Sequence, residues 1–428
     1  MATMVIAFIV ILGVLGYTWI FYPGIMMLIG RRKAKPHVTP GRDETLPGVV
    51  VVFSAHNEEK VIGARISNLL ALDYPRDRLQ IHVGTDGCTD RTESIAQAWA
   101  ETDPRIHVTS REQCAGKTSM LKLLESEARS RDSEFRLLAP GSRLLVFTDA
   151  NTLFEPDALR RLVVPFSDPK IGGVCGRLLL GYASGAVNGC SVPVIGTTKN
   201  KEPMTNNGAK GATDESTYWN LEALIKAGES RVDSCLGANG AIYAIRAELF
   251  PEGIPDNTII DDFVIGMKVR EQGFRMVYEP SALAHEDLPE TVGDEWKRRV
   301  RIGSGAYQAL SLCRACLSPG YGWFALMFWS HKVLRWLTPQ LSLGLMMIGL
   351  GLLGEWAWRT EGWVVNLTAV GVVLAFVLFM VLVETTERAG KLYDRLVYFA
   401  AMQAALFVGF LKFCRGNLKG TWERTGRG

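Results

Sequence analysis

The sequence predicts an α/β fold, a doubly wound sheet held between transmembrane α-helices. Short apolar runs alternate with helical stretches from Pro47 to about Arg314, the rhythm of such a sheet. Both ends of the chain carry uncharged stretches long enough to cross a bilayer. The apolar runs end in oxygen-bearing side chains, and sheets of this type bind ligands outside the carboxyl ends of their strands.

Val5 to Ile29 contains no charge, and at ~1.5 Å per residue it spans a hydrocarbon core of roughly 30 Å. It lacks a basic start and a small-x-small cleavage site, so residues 1–30 are expected to be a retained anchor rather than a signal peptide. Arg31, Arg32, Lys33 and Lys35 follow in a linker over 31–46. Positive charge stays in the cytoplasm, which puts the amino terminus outside and the middle domain inside.

Val49–Phe53 is wholly apolar, as a buried parallel strand should be. A helix is expected from about Glu58 to Leu72, a strand over Gln80–Gly84, a helix from Asp90 (its cap) to Ala100, and a strand over Arg105–Thr109. Lys117–Glu127 reads as a helix and Leu144–Thr148 as another apolar strand. Thr197 to Glu215, rich in Asn, Gly, Lys and Thr, reads as a loop. Tyr321–Trp336 mixes Trp323, Phe324, Phe328 and Trp329 with His331, Lys332 and Arg335. It is expected to be an amphipathic segment (residues 315–336) lying on membrane lipid, basic tips toward water. Leu337–Leu353, Val364–Val383 and Leu396–Phe413 form an apolar block over 337–414, followed by a basic tail over 415–428. Three crossings would leave Arg415, Lys419, Arg424 and Arg427 outside; a cytoplasmic tail with one non-crossing stretch is expected instead.

A net charge of +3 over 428 residues gives no reason to expect nucleic acid. The eight cysteines include one close pair, Cys313-x-x-Cys316, with no second pair to complete a zinc site, so reduced thiols are expected, as in a cytosol-facing domain. Ala115–Ser119 resembles the tail of a P-loop, but Arg111 stands where its first glycine belongs. No Gly-x-Gly-x-x-Gly follows a strand, which argues against a dinucleotide enzyme.

The strand ends read His56-Asn57-Glu58, Asp86-Gly87-Cys88-Thr89-Asp90 and Asp149-Ala150-Asn151. Helix caps explain each alone, but several carboxylates on one rim repel one another unless a cation joins them. Asp149 and Asn151 offer hard oxygen donors to Mg2+ or Mn2+, with diphosphate oxygens completing the shell. Lys117 meets a phosphate at a helix start or is simply solvated. Asp262, with Asp261 as the lesser candidate, could take the proton of an attacking hydroxyl. Arg298 and Arg301 share a helix face suited to gripping a diphosphate.

In this order the motifs, continued by Asp261-Asp262 and Arg298-Arg299-Val300-Arg301, resemble the family 2 glycosyltransferases, the group that includes cellulose, chitin and hyaluronan synthases. The resemblance covers about Pro47 to Gly305 and implies a GT-A-like, Rossmann-related cytoplasmic domain over 47–314. It implies that Glu58 and Asp86 hold the nucleoside of a nucleotide-sugar donor, that Asp149 contacts metal and diphosphate, and that Lys117, Arg298 and Arg301 approach the phosphates. It further implies that Gly237-Ala238-Asn239-Gly240 lines the acceptor side and that Asp262 is the base. Two departures stand out: the metal motif ends in Asn151 rather than a second Asp, and the Gln-x-x-Arg-Trp motif of processive synthases keeps only Arg301, its Trp replaced by Ile302. Trp296 or Tyr218-Trp219 could supply the missing stacking face for an acceptor sugar, against the plainer reading of interfacial or core packing.

The function these readings imply is a multi-pass membrane enzyme of the inner or plasma membrane, an inverting transferase moving a sugar from a UDP-sugar to a growing polysaccharide, with export or assembly proteins as possible partners. The alternatives are a single transfer to a lipid acceptor, a polyprenyl phosphate or diacylglycerol, and an inactive scaffold of a polysaccharide complex.

Overall fold

A computed structural model describes residues 1–31, 46–131, 143–180, 209–286, 292–416 and 418. The chain opens with α1 (Ala2–Gly16), a π turn and α2 (Tyr22–Arg31), forming one continuous rod. The middle domain runs β1 (Gly48–Ala55), α3 (Ile62–Leu70), β2 (Leu79–Asp86), α4 (Thr92–Thr102), β3 (Ile106–Arg111), α5 (Lys117–Ser130), β4 (Arg143–Phe147), β5 (Leu153–Phe154), α6 (Ala158–Val163) and β6 (Ile171–Leu180). It continues through α7 (Ala209–Val232), β7 (Tyr243–Arg246), α8 (Asp261–Glu271), β8 (Arg275–Glu286) and α9 (Val292–Leu312). Then come α10 (Trp323–Phe328), a π turn, α11 (Leu334–Trp336), α12 (Thr338–Arg359), α13 (Gly362–Thr385) and α14 (Glu387–Cys414).

Eight strands form one sheet in the order β3-β2-β1-β4-β7-β6-β8-β5. The first four are parallel. β7 is antiparallel to both β4 and β6, so the sheet is mixed rather than uniformly parallel. Side chains of β1 alternate between two cores. Val49, Val51 and Phe53 pack with Ile62, Ile66 and Leu159, while Val50 and Val52 pack with Met120, Leu124 and Met267. Burial on both faces is why the run is apolar at every position; each such side chain contributes about 1.5–3 kcal/mol.

Three expectations need correction. The first helix begins at Ile62, not Glu58, because Asn57 takes a left-handed turn (φ 56°) and the chain turns once more before it can coil. The second begins at Thr92; Asp90 does cap its start, accepting from the Thr92 N–H at 2.9 Å. Of the loop expected over Thr197–Glu215, residues 197–208 lie outside the described residues, and Ala209–Glu215 opens the long helix α7. Residues 32–45 of the linker and, in the basic tail, 417 and 419–428 also lie outside them.

Among the described residues, three helical stretches are long and apolar enough to cross a membrane: Ala2–Arg31, Thr338–Arg359 and Tyr393–Cys414. Two close crossings bind the rods to the middle domain. A Cβ on Gly228 of α7 would lie 2.3 Å from the Met26 carbonyl of α2. One on Gly409 of α14 would lie 2.6 Å from the Ser304 nitrogen of α9. Tyr307 packs at a tilt against Phe410 at the second crossing, ring centroids 5.0 Å apart.

The amphipathic segment differs from expectation. Trp323 and Trp329 are exposed, but His331 and Arg335 are buried, not turned to water. His331 bridges Glu229 (2.5 Å) and Glu222 (3.1 Å), and Glu222 also accepts from Lys332 (2.5 Å) and Arg335 (3.2 Å). Tyr22 of the N-terminal rod donates to Glu229 at 2.7 Å. Buried carboxylates on α7 need cationic partners, and the apolar run around α10 and α11 supplies them.

Candidate active site

The site forms where β1, β2 and β4 end side by side. Asn57 Oδ1 accepts from the Thr89 N–H at 2.7 Å and His56 Nδ1 meets the Asp86 carbonyl at 2.6 Å, tying the first two strand-end loops together. Glu58 is half-buried at this junction, its N–H donating to Thr92 Oγ1 at 2.7 Å. Asp86 is fully buried. Its carboxylate accepts from the N–H groups of Ala115 (2.9 Å) and Gly116 (2.7 Å) and from Cys114 Sγ (3.4 Å). Asp86 therefore shapes the loop that starts α5. Gly116 there has φ 96°, a conformation costly for any residue with a Cβ.

That loop delivers Lys117 to the centre of the cleft. Its Nζ lies 2.6 Å from Asp149 Oδ1 and 4.0 Å from Asp261 Oδ2. Burial alone would lower its pKa, but Asp149, Asp261 and Asp262 outweigh this and raise it. Asp261 and Asp262 occupy the first turn of α8. Burial pushes Asp261 up to about 6, with Asp262 and Asp149 adding to the rise against Lys117. Burial likewise raises Asp262, opposed by Lys117, by the Phe263 N–H donating to Oδ1 at 2.8 Å, and by Lys226. Raised carboxylates are stronger proton acceptors once ionised.

Gly240 sits amid this cluster. A Cβ built on it would lie 3.2 Å from Asp149 Oδ2, 3.5 Å from Lys117 Nζ and 3.6 Å from Asp262 Oδ2. The structure thus brings Asp149, Lys117, Asp261 and Asp262 together. Arg301, on α9, is exposed to solvent yet feels the same group: partial desolvation lowers its pKa while Asp261, Asp149 and Asp262 pull it up.

The other predicted residues stand further back. Arg298 lies near Glu295, Nε to Oε2 3.4 Å. Trp296 is exposed on α9, about 140° round the helix from Arg301. Ala238 is buried, and Gly237 takes φ 68° against Phe263. The Asn239 side chain turns inward, donating to the Gly176 carbonyl at 3.0 Å and accepting from the Ile242 N–H at 3.1 Å. It locks the loop rather than presenting an amide to the cleft.

Two neighbours, Arg65 and Lys226, carried no sequence motif, and a third, Gly240, lay within one. Gly240 shared a motif with Asn239 and its position carried the signal. Arg65, fully buried, donates to Thr148 Oγ1 at 2.8 Å, next to Asp149; Lys226 is buried beneath Asn239, 3.7 Å from Cys175 Sγ. Nothing in the local sequence of Arg65 or Lys226 marked them, because Thr148 and Cys175, which they meet, come from distant parts of the chain.

The donor set accepts a divalent metal only in part. Asp261 Oδ2 is buried with no hydrogen-bond partner, and three carboxylates crowd together here, both of which suit a cation. Yet among the described residues no three His, Cys, Asp or Glu side chains converge as metal ligands. Asn151, two residues from Asp149, donates its Nδ2 to Glu286 at 3.1 Å. Asp149, with Asn151, would hold a metal whose remaining ligands come from a diphosphate; such an ion supplies positive charge to the departing group.

The fold is shared with the mannosyltransferase PcManGT of Pyrobaculum calidifontis, solved with GDP-Man and Mn2+: TM-score 0.61 over 95% of this chain and 99% of that one, at 19% identity. Among curated relatives, the poly-beta-1,6-N-acetyl-D-glucosamine synthase of Staphylococcus aureus (strain COL) is 26% identical over 274 residues, 62% of this chain and 56% of that protein. The beta-monoglucosyldiacylglycerol synthase of Synechocystis is 26% identical over 328 residues, 74% of this chain and 62% of the relative. The chain thus spans less than two thirds of the length of either. The family model described as Glycosyltransferase like family 2 matches residues 47–305, more than half of the chain. By that match, this chain belongs to the glycosyltransferase-like family 2.

Proposed function

We propose that the protein is a membrane-bound inverting transferase that takes a sugar from a nucleotide-sugar, with Mg2+ or Mn2+ at Asp149, and passes it to a polysaccharide or lipid acceptor. The observation that carries this reading is the meeting of Lys117, Asp149, Asp261 and Asp262 around Gly240. A divalent ion held by Asp149 would supply positive charge to the leaving diphosphate, and Lys117 and Arg301 bring theirs to the same group. Asp262, its pKa raised, removes the acceptor proton as the hydroxyl attacks from the far side of the sugar. Arg65 and Asp86 position these groups from behind.

The acceptor is read from two facts. The curated relatives make either a polysaccharide or a glycolipid, and the Trp of the processive motif is absent, with Ile302 in its place. That loss favours single transfer to a lipid as the second reading. For orientation, α2 ends against the catalytic domain, α12 begins beside it and α14 returns to pack on α9. This supports a cytoplasmic catalytic domain and tail, with Ala2–Arg31, α12 and α14 crossing and Gly362–Thr385 not required to cross.

The test is a screen of the purified full chain in detergent or nanodiscs against radiolabelled UDP- and GDP-sugars with Mg2+ or Mn2+, offering polyprenyl phosphate, diacylglycerol and oligosaccharide acceptors. Products are sized on a gel. Metal-dependent transfer with inverted anomeric configuration supports the reading; retained configuration, or full activity in chelator, refutes it.

A further inference from the structure

Lys117 is the first residue of α5, where the positive end of the helix dipole disfavours a cation. It is held there by carboxylates: Asp149 at 2.6 Å and Asp261 at 4.0 Å. The loop that delivers it is fixed at one end by Asp86 and requires the positive φ of Gly116. The ammonium thus takes Asp149 Oδ1, while Phe263 takes Asp262 Oδ1 and the Asn151 amide nitrogen is turned to Glu286. No three metal-type side chains converge among the described residues.

We propose that Lys117 is a resident cation that closes the empty carboxylate site to free divalent metal, so that metal enters only together with the nucleotide. The proposal rests on the reading of Asp149 as the metal-facing carboxylate. A doubly charged ion arriving alone must approach a fixed ammonium and finds too few oxygens. An arriving diphosphate brings both remedies. Its oxygens complete the shell, and its negative charge draws the ammonium off Asp149 Oδ1 onto a phosphate. The lysine therefore has two stations, carboxylate in the empty enzyme and phosphate in the loaded one, and it makes metal and nucleotide binding mutually dependent.

The experiment measures Mn2+ binding by full-length protein in detergent, counting free Mn2+ from its electron paramagnetic resonance signal, alone and with UDP or GDP added. Wild type is expected to bind Mn2+ at least about tenfold more weakly without nucleotide than with it. Lys117→Gln should tighten nucleotide-free Mn2+ binding by about tenfold or more, the order expected when a unit positive charge leaves the neighbourhood of a divalent ion, and should shrink the ratio between the two conditions. Lys117→Arg, keeping the charge, should stay near wild type. Thermal melting confirms that each variant folds. Equal Mn2+ affinity of wild type with and without nucleotide overturns the proposal without any variant. No gain in Lys117→Gln, with nucleotide-dependent Mn2+ binding intact, overturns it while leaving the proposed function standing. Absence of Mn2+ binding under every condition overturns both.

Discussion

Asp262→Asn separates proton transfer from binding. The amide keeps the shape of the carboxylate, and its oxygen can still accept the Phe263 N–H that now lies 2.8 Å from Oδ1, so α8 should start as before. What is lost, under the proposed mechanism, is the proton acceptor. General-base groups contribute about 10²–10⁴ in rate, and at about 1.4 kcal/mol per decade this raises the barrier by about 3–5 kcal/mol. Nucleotide affinity should hold or tighten slightly, because one of three crowded negative charges beside the diphosphate disappears. The pH profile gives a second readout. Asp262 works ionised, and its pKa is raised above the ordinary carboxylate value, so wild-type kcat should fall as pH drops through that raised value; the limb should vanish in the variant. The assay is radiolabelled sugar transfer across pH 4–8 (a range of about four units around the carboxylate region), paired with calorimetric titration of nucleotide plus Mn2+. A variant kcat within about tenfold of wild type, or a loss explained wholly by weaker nucleotide binding, refutes the assignment.

Asp261→Asn should stabilise the fold at pH 7.5 by roughly 1–3 kcal/mol. The native carboxyl titrates near 6 rather than at its ordinary 3.8, so the folded state holds the extra proton between those values and loses stability as pH rises through them; a melting-temperature gain no larger at pH 7.5 than at pH 5 contradicts this. Gly237→Ala should cost about 2–4 kcal/mol, combining left-handed strain with a Cβ placed 2.5 Å from the Phe263 ring, whereas Gly273→Ala, at φ 91° with nothing within 4 Å, should cost only the strain; denaturant titration of the two variants checks the difference. Glu222→Gln should destabilise by about 3–5 kcal/mol, since it strips the shared partner of buried His331 and Arg335, and melting in detergent together with proteolysis at the junction with the membrane rod would register it.

The sequence by itself determined which stretches form the sheet's parallel half and which rods suit a membrane, because both are written as local runs: Val49–Phe53 is apolar at every position and Val5–Ile29 carries no charge. It also marked Asp149, Asp261 and Asp262, since a carboxylate just after an apolar strand or at a helix start is a local pattern, and the ordered motifs added their family. Tertiary structure alone decided the rest. It inserted the antiparallel β7 between β4 and β6, turned Asn239 inward, buried His331 and Arg335 against α7, and set Lys117 upon Asp149 with Gly240 between the acids. These outcomes depend on pairings across 32 residues for Lys117 with Asp149 and 113 for Arg335 with Glu222. Periodicity reports only which side of an element is apolar. The partner of a charge is chosen by which distant element the hydrophobic packing brings alongside it.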